Sequence, residues 1–134
     1  MSAEENKATL QRREEAWNGG ELDALDPLFA SDFAPHIGVP GLPPGLASAK
    51  QAHQMSMQTS HDRRTTIEDL IAEGDTVMAR MRMTGTNQGG LAVDVQWISI
   101  DRLSDGQIAE HWAVMDVLCL MQQLGSLPSP GLAA

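Results

Sequence analysis

The chain has 134 residues, 42% of them hydrophobic and 20% charged, with a formal net charge of −9. That length suits one domain around one core, and the acidic balance argues against a nucleic-acid partner because it repels a phosphate backbone. No apolar run could span a bilayer, MSAEENKATLQRREEAW lacks the apolar centre of a signal peptide, and the single Cys119 allows no intrachain disulfide, so a cytoplasmic protein without membrane contact is expected.

Ser2 and Glu5 have capping-box spacing, which predicts a helix running to about Trp17. Ala3, Leu10 and Trp17 form a narrow apolar stripe on it, and Asn18-Gly19-Gly20 ends it. A short second helix is expected to carry Leu22, Leu25 and Phe29 on one side, with Pro27 in its first turn or kinking it. Residues 31–45 hold Pro35, Pro40, Pro43 and Pro44 and read as an irregular loop. A third helix is predicted from about Leu46 to Ser60.

The pattern then changes to strands over 65–72, 76–86, 91–103 and 107–115, with turn signals at Gly74-Asp75 and Asp105-Gly106. A last helix is predicted from Val117 to Leu124, ended by Gly125, and residues 127–134 form an expected flexible tail after a domain of residues 1–126. Helices followed by a run of antiparallel strands predict an α+β fold. Three main helices cannot cover both faces of the sheet, so a curved sheet enclosing a pocket is expected.

Aromatic residues are few: Trp17, Trp97, Trp112, Phe29 and Phe33, with no tyrosine, while eight methionines supply adaptable core filler. A mechanism that needs a tyrosine hydroxyl is therefore excluded. No His, Cys and carboxylate set has the spacing of a zinc or iron site, so no metal is expected, and Gly38-x-x-Gly41 has no strand before it to make a phosphate cradle.

Three stretches resemble the SnoaL-like polyketide cyclases of the NTF2-like superfamily: EAWNGGELDALDPLFASDFAPH, IEDLIAEGDTVMARMRMTGTNQG and SDGQIAEHWAVMDVLCLMQQLG. The last carries the most specific phrase, E-H-W-x-x-x-D followed by L-x-Q-Q-L-G. The resemblance implies a cone-shaped fold and closure of a ring by intramolecular aldol condensation without metal or cofactor. It also implies a hydrophobic small-molecule substrate. A non-catalytic small-molecule binding protein of the same fold is the alternative, and epoxide hydrolysis ranks below it. The fold alone does not fix the reaction.

By that resemblance Asp116 matches the family's acid/base aspartate. Burial in an apolar cavity would raise its pKa and suit it to proton transfer, and it is equally placed to cap the last helix. His36 matches a histidine at the pocket mouth and is a second catalytic candidate. Trp112 shares strand parity with Asp116, so it is expected to wall the pocket together with Trp17, Trp97 and Ser99, and His111 to face outward. Ser99 stands where many members carry a carboxylate and Asp101 where they carry an aromatic, and the 87–92 segment NQGGLA is shorter than the family's loop. A homodimer is expected, since a cone-shaped sheet leaves a convex face for a second copy.

Overall fold

The computed structural model describes residues 2–36 and 45–126. Helix α1 spans Ala3–Gly19; Ser2 Oγ accepts the Glu5 backbone N–H at its start, and Gly20 takes a left-handed φ of 69° at its end. A 3₁₀ helix, Leu22–Leu28, contains Pro27 and leads directly into strand β1, Phe29–Pro35. Helix α2 is Leu46–Thr59. It is followed by β2 (Arg64–Glu73), β3 (Thr76–Thr86), β4 (Ala92–Ser104), β5 (Gln107–Met115) and helix α3 (Val117–Gln123).

The four sequence-predicted strands and the first, third and last predicted helices match these spans closely. The second helix is instead a 3₁₀ turn with Pro27 inside it, and the expected loop begins with β1. Proline cannot donate to an α-helical ladder but is tolerated in a short 3₁₀ segment. Pro35 sits at the end of β1, an edge strand where a missing N–H is harmless. The rest of the proline-rich loop and the tail at 127–134 lie outside the described residues.

The fold is α+β, with one open, mixed sheet in the order β1-β5-β4-β3-β2. β1 runs parallel to β5, and the other neighbours are antiparallel. Two-residue turns close the β2–β3 and β4–β5 hairpins. At the second, Asp105 and Gly106 both take positive φ, 51° and 77°, as a tight hairpin turn matching strand twist requires.

Helix α1 packs on one face of β2 and β3. That inner face carries Val77, Ala79 and Met81 of β3, which join Leu10, Leu25, Phe29, Leu103 and Ile108 in the core. The strand register then assigns the faces of β4: Asp101, Ser99 and Trp97 stand beside Val77, Ala79 and Met81 on the inner side. Ile98 and Ile100 point to the outer side.

Candidate functional site

β5 contains a bulge. Leu103 pairs with Ile108, but Arg102 pairs with Glu110, leaving Ala109 as an extra residue. Both Ile108 and Ala109 are buried as a result. Beyond the bulge the side-chain parity is reversed, so His111 pairs with Asp101 and Ala113 with Ser99 on the inner face, while Trp112 pairs with Ile100 on the outer face. The expected orientations of His111 and Trp112 are thereby exchanged: the expectation rests on the parity that Trp112 shares with Asp116, and both of those residues are exposed.

On the inner face, Asp101 is fully buried. Its Oδ1 accepts from Arg13 Nη1 at 2.9 Å and from His111 Nδ1 at 2.7 Å. Arg13 Nε donates to Glu14 Oε1 at 3.0 Å, and Glu14 Oε2 accepts from Thr65 Oγ1 at 2.8 Å. Burial pushes the Asp101 carboxyl up, but the Arg13 charge and the His111 contact outweigh it and hold the group below its ordinary value. Burial works against the charge of Arg13 too, yet the two carboxylates hold its pKa above the ordinary value. Ser99 Oγ and Asp101 Oδ2 are buried without a hydrogen-bond partner among the described residues.

This network was missed in the sequence because α1 reads as a charged helix with one thin stripe. The signal was present: Arg13 lies three residues after Leu10 and four before Trp17, on the stripe itself.

A cavity of about 170 Å³ opens on the inner face between α2, the ends of β3 and β4, and α3. Met83, Val93, Leu120 and Leu124 give it apolar walls, and Arg63 enters it from the turn before β2. Arg63 Nη1 donates to His53 Nδ1 and Nε to Met83 Sδ, both at 2.9 Å. Because a guanidinium only donates, His53 holds its proton on Nε2. Burial and the Arg63 charge keep the His53 pKa below its ordinary value. The His53 ring also lies 4.9 Å from that of Trp17. The sequence reading gave His53 no functional role and did not single out Arg63.

The candidate residues divide between the faces. Trp17 and Trp97 are partly buried against the core, and Ser99 is buried beside them on the inner side. Asp116 follows β5 and caps α3, its Oδ1 accepting the Cys119 backbone N–H at 3.0 Å. It is exposed rather than buried in an apolar cavity as expected, and it is not among the residues that line the cavity. His36 follows β1, where its ring stacks on Trp112 with centroids 4.5 Å apart, and its Nε2 meets Glu110 Oε2 at 2.7 Å. Glu110 also pairs with Arg102, and its pKa is lowered by these two partners. His36 therefore belongs to an outer-face cluster and is not brought to the inner cavity, contrary to its expected place at the pocket mouth. Arg80 and Arg82 pair with Asp69 and Asp94 from the adjacent strands.

A helix-covered open sheet with a polar group buried on its inner face and an apolar cavity at one end defines a small-molecule pocket fold. The chain belongs to the SnoaL-like polyketide cyclase family, whose sequence profile matches residues 7–124. It is similar to TsrD from Streptomyces laurentii, at 28% identity and a TM-score of 0.84, covering 95% of this chain and 99% of that one. It is also similar to a candidate polyketide cyclase from Bacillus cereus ATCC 10987, at 33% identity and a TM-score of 0.84, over 90% of this chain and 80% of that one. A Catenulispora acidiphila protein of ketosteroid isomerase-like fold, 21% identical with a TM-score of 0.74, shares the architecture over 91% of this chain and 97% of its own. A search of curated proteins found no match. Among the described residues, no helix is long and apolar enough to cross a membrane.

Proposed function

We propose that the chain is a cofactor-independent cyclase or isomerase acting on a hydrophobic, carbonyl-bearing small molecule, with Asp116 as its acid/base carboxylate. The observation that supports this reading is that Asp116, though exposed and outside the cavity lining, caps the helix whose far end walls the cavity. α3 supplies Leu120 and Leu124 to the cavity wall, and the family's polyketide cyclase character supplies the reaction class. In the proposed chemistry the carboxylate takes a proton from the carbon beside a substrate carbonyl, leaving an enolate. After the new bond forms, it returns a proton to the developing alkoxide. Trp17, Trp97 and Ser99 stay as proposed wall residues because they stand on the inner side, although other residues line the cavity described above. Trp112 and His36 leave the list because they stack together on the opposite face.

The test is hydrogen–deuterium exchange at the methyl ketone of 2-acetylnaphthalene, followed by NMR in D₂O with EDTA present. Exchange faster than buffer supports the reading. Exchange at the buffer rate with the ketone still bound favours the non-catalytic binding protein.

A second reading rests on the His111–Asp101 contact, in which the carboxylate fixes the imidazole's proton on Nδ1 and leaves Nε2 as a base. Asp116 lies five positions after His111, roughly 16 Å at the usual strand rise, so the two cannot share one reaction centre. Loss of exchange in His111→Gln with retention in Asp116→Asn would transfer the role to His111.

The homodimer is retained within this proposal. Ile98, Ile100, Trp112 and Val114 are exposed together on the outer face, and a second copy would bury them. A monomer in sedimentation velocity at micromolar concentration removes it.

A further inference from the structure

Arg63 is anomalous in charge. It is largely withdrawn from water, and among the described residues no carboxylate lies within salt-bridge distance of it. Its two hydrogen bonds go to a thioether sulfur and a neutral imidazole, both weak partners for a cation. Glu14 is the acid whose field reaches it, but both Glu14 oxygens are occupied by Arg13 and Thr65. By contrast, Arg13, Arg80, Arg82 and Arg102 each contact a carboxylate. A desolvated cation without a counter-ion is costly, and a fold that keeps one at a cavity wall holds it ready for a negative group from outside.

We propose that Arg63 is the docking point for an oxygen anion, a carboxylate or ionised enol, carried on an apolar ligand body. This rests on reading the cavity as the small-molecule site. The guanidinium presents a planar fork of donors, of which Nη1 and Nε each have one bond already made, and such a fork suits an oxyanion. The apolar walls at Met83, Val93, Leu120 and Leu124 take the body. The body is required as well as the charge. With a net charge of −9 the chain repels small free anions, so burial of apolar surface must bring the anion in. His53 is a positioning residue in this arrangement, holding the guanidinium from behind by its Nδ1 lone pair.

The experiment is calorimetric titration of the full chain at neutral pH with 2-naphthoate, with its methyl ester, and with acetate. The acid should bind about tenfold to a hundredfold tighter than the ester, and acetate should not compete. Arg63→Gln should bring the acid down to the ester's affinity while leaving the ester unchanged, and the unchanged ester reports an intact cavity. Equal affinity of acid and ester for the wild type overturns the proposal without reference to any variant, so it does not depend on the folding of Arg63→Gln. An acid preference that survives Arg63→Gln also overturns it. If acid and ester bind equally but Met83→Trp abolishes both, the cavity reading stands and only the anion docking falls. If neither probe binds, both fall.

Discussion

Arg13 Nη1 and His111 Nδ1 converge on a single carboxylate oxygen, Oδ1 of Asp101, at 2.9 and 2.7 Å. One arginine on α1 thereby neutralises a fully buried acid on β4 and, through Glu14, ties the helix to β2. Removing it strands two buried acids. Arg13→Met is expected to lower stability by about 3–5 kcal/mol in urea denaturation, the usual cost of breaking a buried ion pair on one side. A loss below about 1 kcal/mol would show that the network carries little of the fold's stability.

The same contact sets an acid limit. The Asp101 carboxyl titrates below its ordinary value of about 3.9 in the folded chain, so the unfolded chain binds this proton first as pH falls. Its contribution is complete above the ordinary value and is lost as pH falls from there through the folded value. Urea midpoints should therefore drop as pH falls below about 4 in the wild type, and the drop should be shallower in Asp101→Asn. Equal slopes in the two proteins would contradict this.

Asp116 carries two separable duties. Asparagine accepts the Cys119 N–H as well as aspartate does, but it has no ionisable proton. Asp116→Ala should cost about 1 kcal/mol of stability through the lost cap, and Asp116→Asn much less. Thermal denaturation of both variants checks it; equal losses would mean that the charge matters to folding and the cap does not.

Gly85 is required for the approach of the α2–β2 turn to β3. A Cβ built there would lie 2.7 Å from Ser60 Oγ and 3.2 Å from Arg63 Cα. Ser60 Oγ can rotate away, but the Arg63 backbone must give. Gly85→Ala is expected to destabilise by about 1–3 kcal/mol, read from the denaturation midpoint, and no change would show that the turn yields freely.

The sequence made the strands and the main helices legible because their alternation and helical spacing are local properties. The ends of β3 and β5 fall where the hydrophobic pattern places them. β1 was hidden because Pro27 and Pro35 bracket Phe29–Ala34, and its strand character comes from parallel pairing with β5, a non-local partner. The faces of His111 and Trp112 were misassigned because they were read from parity with Asp116, whose side chain the fold leaves exposed as the cap of α3. Asp116 was legible as a helix cap from its place before Val117. Arg63 and His53 lie in separate elements, and only the turn between α2 and β2 brings them into contact.

The central claim is that Asp116 moves a proton beside a substrate carbonyl without a cofactor, and exchange at the methyl ketone of 2-acetylnaphthalene, compared between wild type and Asp116→Asn, tests it most directly. The account predicts that Asp116→Asn, folded and still binding the ketone, loses roughly 10²- to 10⁴-fold of the exchange rate above buffer. An unchanged rate in that variant would contradict it.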